Sequence, residues 1–180
     1  MRIVGGELGG RVLKAPPGAA TRPTSEKVRE ALFQIVGSVE GAHVVDLFAG
    51  SGALGIEALS RGAAHATFVD SGKPALAAIR RNLGELGLAE RAQVVVGDAV
   101  AFVRRPAPTP WRLVLIDPPY ASDLATRAAL AIAPENLAPG ATIVIEHDRR
   151  NAPTEALGSL IRTDQRRYGD TLISLFEVPA

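Results

Sequence analysis

Four aspartates carry the chemistry for which this sequence can be read. Asp46, Asp70, Asp98 and Asp117 each stand at or just past the end of a short apolar run: Val44–Leu47, Ala66–Asp70, Gln93–Val96 and Leu113–Ile116. Runs of this length and composition suit buried parallel strands better than helices. A carboxylate at such a strand tip must be met by a ligand or by backbone donors, because a buried charge without partners is costly. In an open parallel sheet the carboxyl ends of the strands face one crevice, where ligands bind at the topological switch point. One acidic strand end is commonplace. Four in order, one before a glycine turn and one before Pro118-Pro119-Tyr120, point to a bound small molecule rather than to solvation.

The glycine turn is Phe48-Ala49-Gly50-Ser51-Gly52-Ala53-Leu54-Gly55. Its small residues let the chain reverse sharply, and the helix expected over Ala53–Arg61 would aim its free N–H groups back at the turn. Strand, acidic tip, turn and helix together make a pocket for a nucleoside-like ligand. The spacing Gly50-x-Gly52-x-x-Gly55 also satisfies the dinucleotide pattern, which alone is weak. A tight turn without a ligand is the other reading of those glycines.

The elements that must position these residues follow a regular alternation. Ser25 or Thr24 can cap a helix in which Val28, Leu32, Ile35 and Val36 share a face, closed by Gly37. From Ala42 onward strands and helices alternate as in βαβ units. Ser71 can cap a helix with Pro74 in its first turn and Leu76, Ile79, Leu83 and Leu86 on one face. Ala99–Arg104 and Asp123–Ile132 are expected helices, Thr142–Glu146 a fifth strand and Pro153–Leu160 a helix. Arg166–Tyr168 and Leu172–Val178 read as a closing hairpin about Gly169-Asp170. Arg2–Val4 and Arg11–Leu13 flank a glycine-rich stretch and read as a small N-terminal hairpin. The expectation is an α/β Rossmann-like fold, a mostly parallel seven-stranded sheet covered by helices on both faces. Residues 1–20 form the hairpin extension and 21–180 the main domain.

At 180 residues, with 47% hydrophobic and 22% charged residues, the chain can bury a proper core. It has no cysteine, which removes disulfides, thiolate nucleophiles and zinc ribbons. His43, His65 and His147 are scattered without metal-ligand spacing, and no metal is expected. No apolar run reaches membrane-span length and no signal-peptide core is visible, so a cytoplasmic protein without membrane contact is expected. Net charge is +1. Residues 1–30, however, hold six basic side chains (Arg2, Arg11, Lys14, Arg22, Lys27, Arg29) against Glu7, Glu26 and Glu30.

Asp46-Leu-Phe-Ala-Gly-Ser-Gly resembles the first motif of class I methyltransferases that use S-adenosylmethionine. In that resemblance Asp70 is the acid gripping both ribose hydroxyls, and Asp98, with Ala99 beside it, reads the adenine amino group. Asp117-Pro-Pro-Tyr resembles the signature of enzymes that methylate exocyclic amino nitrogens. Its chemistry is consistent: Asp117 and the carbonyl of Pro118 can accept the two amino hydrogens, the prolines fix φ and remove competing donors, and Tyr120 can stack on an unstacked base. Over nearly the whole chain the sequence is similar to the RsmD-type enzymes, through Arg2-Ile-Val-Gly-Gly, Arg22-Pro-Thr-Ser-Glu-Lys-Val-Arg-Glu-Ala-Leu-Phe, Phe48–Gly62, Asp117-Pro-Pro-Tyr and Tyr168-Gly-Asp-Thr. That family methylates N2 of a guanine in 16S ribosomal RNA of the small subunit. The resemblance implies that Arg22 and Thr24 line the methionine end of the cofactor and that Arg2, Arg11 and Lys14 touch RNA. A monomer is expected.

An adenine-N6 DNA methyltransferase shares the Asp/Asn-Pro-Pro-Tyr element, but the chain has no insertion large enough for a DNA-recognition domain. A nicotinamide-dependent dehydrogenase would use Gly50–Gly55 and Asp70 while leaving Asp117-Pro-Pro-Tyr idle. A non-enzymatic RNA-binding module would leave four acidic strand ends unused, and carboxylates repel phosphate.

Overall fold

Of the four acidic strand ends expected from the sequence, Asp46 is the penultimate residue of its strand, Asp70 the last of its own, and Asp117 and Asp98 stand one and two residues past theirs. The structure, a computed structural model, describes residues 1–18, 24–119 and 122–180. Strands β1 (His43–Leu47), β2 (His65–Asp70), β3 (Ala92–Val96), β4 (Trp111–Ile116) and β5 (Leu137–Asp148) run parallel. With β6 (Ala156–Leu157), β7 (Leu160–Tyr168) and β8 (Thr171–Glu177) they form one sheet in the order β3-β2-β1-β4-β5-β8-β7-β6. The last three strands pair antiparallel.

The sheet therefore has eight strands among the described residues, not seven. The additional one, β6, lies where Pro153–Leu160 was expected to be helical. Leu157 and Leu160 are both buried, as a helical spacing would also require. Gly158 between them takes φ +62°, which reverses the chain into β7 and is incompatible with a continuing helix. β7 starts at Leu160, well before the expected Arg166, and β5 starts at Leu137 rather than Thr142.

Five α-helices among the described residues cover the sheet: α1 (Glu26–Val36), α2 (Ala53–Ser60), α3 (Lys73–Glu85), α4 (Ala99–Phe102) and α5 (Leu124–Ala131). On one face Leu32, Phe33, Ile56 and Ile79 pack with Val44 and Phe68. On the other, Val100, Ala125 and Ala128 pack with Val45, Leu47 and Val114. Burial on both faces is why the strands read as continuous apolar runs rather than as alternating ones. Ser25 caps α1 by accepting the Val28 N–H at 3.2 Å, and Gly37 ends it at φ +78°. The cap of α3 is Gly72, not Ser71.

The N-terminal hairpin is reduced to a single antiparallel bridge, Arg2 to Val12. Between them the glycine-rich stretch docks on the end of α2: the Glu7 N–H donates to the Ser60 carbonyl at 2.8 Å and the Leu8 N–H to Ser60 Oγ at 3.0 Å. Gly6, at φ +77°, lies so close that a Cβ would collide with that carbonyl. Ile3 and Leu13 are buried in the main core. Beneath them the fully buried Glu57 carboxylate accepts the N–H groups of Val4 and Gly5 at 2.9 and 2.8 Å and Arg61 Nε at 2.9 Å, with Arg29 Nε 3.8 Å away.

The chain builds β1, β2 and β3 toward one edge, then returns to lay β4 and β5 on the other side of β1. The order reverses between β1 and β4, so Asp46 and Asp117 stand at the switch point where an open sheet binds its ligand.

Candidate active site

A cleft of about 880 Å³ opens along the carboxyl ends of β1, β2, β4 and β5. Asp46, Asp70, Asp117 and Glu146 all line it. This volume lies at the upper end of the ~300–1,000 Å³ usual for small-molecule sites.

Alternation along β1 turns Val45 and Leu47 to one face and Val44 and Asp46 to the α2 face. Asp46 is 1% exposed and accepts the Gly55 N–H at 2.9 Å, so the strand-end carboxylate is met by a backbone donor in the first turn of α2. Burial pushes its carboxyl up to about 8, opposed by that hydrogen bond and aided by the Asp70 charge. Gly55 has to be glycine, because a Cβ there would run into the Phe68 ring on β2.

Phe48 carries the turn out of β1 at φ +59°, a left-handed conformation that is uncommon for an aromatic residue. Gly50 and Gly52 follow at φ +58° and +80°. The turn is tied to the end of β2: the Ala49 N–H donates to the Val69 carbonyl at 3.1 Å and the Gly50 N–H to Asp70 Oδ2 at 2.9 Å. The Gly72 N–H donates to Asp70 Oδ1 at 2.8 Å. Both carboxylate oxygens are thereby aimed, each with a second lone pair still available on the cleft side. Asn82 of α3 donates to the Ser51 and Lys14 carbonyls, both at 3.0 Å, and joins the turn to the N-terminal segment.

At the other end of the cleft, Thr24 Oγ1 lies 2.7 Å from Glu146 Oε2 and 3.0 Å from Asp117 Oδ2. A hydroxyl has one proton and donates it to one acceptor. The second short contact requires a carboxyl O–H donating to Thr24 Oγ1, so the two acids hold one proton between them. Burial holds the Asp117 carboxyl well above the carboxylate range, and the Glu146 charge adds to this; burial raises Glu146 as well.

Glu146 is the site residue that sequence reasoning missed. Its signal was available: Glu146 ends the run Thr142–Glu146, and β4 pairs with β5 as Ile116 with Ile145, one step before Asp117 and Glu146. The expected first-motif residues Phe48, Ala49, Gly50 and Ser51 line the cleft, as do Pro118 and Pro119. Gly52 faces the core, where a Cβ would press on Ile56 and Phe68 at 3.3 Å. Asp98 and Ala99 are not brought to the cleft. Asp98 is exposed and caps α4 by accepting the Ala101 N–H at 2.7 Å, while Ala99 is buried beneath it. Arg22 and Tyr120 lie outside the described residues. Arg2, Arg11 and Lys14 are exposed on the N-terminal segment, but Lys14 Nζ pairs with Glu85 at 3.1 Å and Arg11 donates to the Glu85 carbonyl at 3.3 Å.

His147 also reaches the cleft, but both ring nitrogens are engaged. The Asp148 carbonyl, 2.8 Å from Nδ1, can only accept, so Nδ1 carries the hydrogen and Nε2 accepts from Ser174 Oγ at 2.8 Å. That arrangement keeps the ring neutral, and burial lowers its affinity for a second proton. No group of acidic, histidine or cysteine residues able to hold a metal ion is found among the described residues.

Residues 1–177 match the model of a family described as Conserved hypothetical protein 95. The chain is 40% identical to YlbH of Bacillus subtilis over 182 aligned positions, covering 98% of each protein. It is 42% identical to the ribosomal RNA small subunit methyltransferase D of Escherichia coli K12 over 121 positions, 67% of this chain and 60% of that one. Among solved structures, yhhF from Escherichia coli superposes with a TM-score of 0.86 at 34% identity, covering 100% of this chain and 98% of that one. TTHA0928 of Thermus thermophilus gives 0.79 at 28% identity over 99% of both chains.

Proposed function

We propose that this chain, which belongs to the Conserved hypothetical protein 95 family of RsmD-type methyltransferases and carries the class I methyltransferase fold, methylates N2 of a guanine in small-subunit ribosomal RNA. The coarser half of this reading, methyl transfer to ribosomal RNA, is supported by the family and by the name of the Escherichia coli relative. The finer half rests on one observation above the others: the acidic ends of β1, β2, β4 and β5 converge on a single cleft at the switch point.

The residues present suit S-adenosylmethionine. Asp70 is held by two backbone donors with lone pairs to spare for vicinal ribose hydroxyls, and nothing crowds the space above Gly50, where the nearest atom to a Cβ would be the Phe48 carbonyl oxygen at 4.0 Å. Phe48, Ala49 and Pro74 offer an apolar wall for the adenine ring. When bound, S-adenosylmethionine supplies a methyl carbon on positively charged sulfur, which an amino nitrogen attacks in line while the carbon–sulfur electron pair leaves with the sulfur.

The chain's own contribution is positioning and charge. Asp117 accepts one hydrogen of the amino group and the Pro118 carbonyl the other, which pyramidalises the nitrogen and turns its lone pair toward the methyl. As the new nitrogen–carbon bond forms, the proton that the nitrogen sheds passes to the Asp117–Glu146 pair, which already holds one proton and has one carboxylate left to take a second. Tyr120 is assigned to stack on the base, and Arg22 with Thr24 to border the methionine end. Arg2, Arg11 and Lys14 are assigned to the RNA backbone. The test is tritium transfer from labelled S-adenosylmethionine to small subunits, free ribosomal RNA and plasmid DNA in parallel, followed by mass-spectrometric mapping of the product. Label in a guanine of small-subunit RNA supports the reading; label in DNA, or on an adenine, refutes it.

A further inference from the structure

We propose that Glu146 is the specificity-determining residue of the cleft, accepting the ring N1–H of the target guanine while Asp117 accepts a hydrogen of the neighbouring N2 amino group. This inference rests on the guanine reading above and extends it to a residue outside the motif.

The observation behind it is that the cleft presents two acceptors side by side. Asp117 follows β4 and Glu146 lies in the adjacent parallel β5, each one residue beyond the pairing of Ile116 with Ile145, and one Thr24 hydroxyl touches an oxygen of each. Their other oxygens, Asp117 Oδ1 and Glu146 Oε1, receive no hydrogen bond from the described residues. Both side chains line the cleft shared with Asp46 and Asp70, so they stand where the methyl group and its acceptor have to meet.

A catalytic motif needs one acceptor for an amino group, and Asp117 with the Pro118 carbonyl already fills that need. A second acid beside the first has to be explained by something else on the base. In guanine the exocyclic N2 and the ring N1 are bonded to the same carbon, and both carry hydrogen. In adenine the amino group at N6 is flanked by N1, which carries a lone pair and no hydrogen. Two adjacent carboxyl groups complement the first edge. Against the second, Glu146 would set oxygen lone pairs against a nitrogen lone pair, leaving buried polar groups unpaired. The pair thus selects guanine by attraction and rejects adenine by repulsion. Thr24 completes the arrangement: it donates to one acid and leaves both outer oxygens for the base.

A purely structural Glu146, present only to hold Thr24, would affect all bases alike. The test therefore compares two targets. Small subunits are reassembled with either guanine or 2-aminopurine at the methylated position, once that position has been mapped. 2-Aminopurine keeps the N2 amino group but has no hydrogen on N1. The wild-type protein is expected to bind and methylate guanine subunits roughly 10–100-fold better, the scale of one discriminating base contact. Glu146→Gln, whose side-chain amide can donate to the bare N1, is expected to lose about 10-fold on guanine and bring the ratio close to one. Thr24→Val is expected to lower both substrates in parallel. Equal use of guanine and 2-aminopurine by the wild-type protein would overturn the proposal without any variant. An unchanged ratio in a folded Glu146→Gln protein would overturn it equally. A methyl group mapped away from guanine N2 would instead overturn the underlying function, before either comparison is made.

Discussion

Replacing Asp70 by alanine separates cofactor binding from everything else in the site. Asp70 accepts two backbone N–H groups, from Gly50 at 2.9 Å and Gly72 at 2.8 Å, and on the proposed reading two ribose hydroxyls as well. A hydrogen bond to a charged group contributes about 1.5–3 kcal/mol. The two freed N–H groups border an open cleft and can be met by water, so their loss adds little beyond loosening the turn. The expected penalty on S-adenosylmethionine binding is about 2–4 kcal/mol, which is roughly 30–1,000-fold in Kd. Asp70→Asn should fall between, because its amide oxygen keeps acceptor capacity while the charge is gone. Titration calorimetry with S-adenosylmethionine and with the demethylated product reads both variants, and near-ultraviolet circular dichroism checks that the fold is intact. An Asp70→Ala protein that is folded and binds within about threefold of the wild type would show that the ribose sits elsewhere. The same titration with NADH should show no binding; micromolar affinity would restore the dehydrogenase reading of Gly50–Gly55.

The remaining expectations concern chemistry, stability and pH. Asp117→Ala should lower turnover by about 10²–10³-fold with cofactor affinity nearly unchanged, and Asp117→Asn should be milder; normal single-turnover methylation by the alanine variant would remove the motif from the mechanism. Glu57→Ala strips a buried carboxylate from Arg29, Arg61 and two backbone N–H groups, at a cost of about 3–5 kcal/mol, or roughly 6–20 °C in Tm for a domain of this size. A melting point within about 2–3 °C of the wild type, read by differential scanning calorimetry, would show that the ion pair does not anchor the N-terminal segment. Asp46 keeps its proton in the folded state up to about 8 but releases it near the ordinary carboxylate value when unfolded. Its contribution is therefore full below that ordinary value and is lost as pH rises from there through about 8, at up to ~1.4 kcal/mol per pH unit within that window. Urea denaturation across the range from about pH 4 to about pH 9 should show wild-type stability falling relative to Asp46→Asn, and parallel curves would mean that Asp46 is ionised throughout.

Legibility in the sequence followed the length scale of each interaction. The strand tips Asp46, Asp70 and Asp117 were readable because burial on both faces makes an acidic residue conspicuous in an apolar run. The turn was readable because a sharp strand-to-helix reversal tolerates few residue types. What the sequence hid are consequences of pairing across the sheet. Leu157 and Leu160 fit a helical spacing as well as the short turn into β7, and only the left-handed Gly158 distinguishes them. Asp98 looked like its three counterparts, yet it stands two residues past β3, caps α4 through Oδ1 and does not line the cleft. Glu146 carries the same local mark, an acid ending the apolar run Thr142–Glu146, but no recognisable motif follows it, and its place beside Asp117 is set only when β5 pairs with β4.

The position of Thr24 binds these observations together. The hydroxyl shared by Asp117 and Glu146 belongs to neither of their strands; it comes from the residue just before the Ser25 cap of α1. α1 is in turn fixed by Arg29, which is fully buried, donates to the Arg2 carbonyl and faces Glu57 on α2. Two of its nitrogens, Nε and Nη1, have no hydrogen-bond partner among the described residues. A buried guanidinium with unmet donors is stabilised chiefly by the Glu57 charge, so the orientation of α1, and with it Thr24, depends on a carboxylate at the far side of the turn. The same Glu57 holds the Val4 and Gly5 N–H groups, so the segment that puts Met1 beside the cleft and the residue that joins the two acids share one anchor. Loss of Glu57 should therefore reach the acceptor pair through α1 although no atom of Glu57 touches it, and a Glu57→Gln protein that stays folded should lose turnover on subunits before it loses cofactor binding.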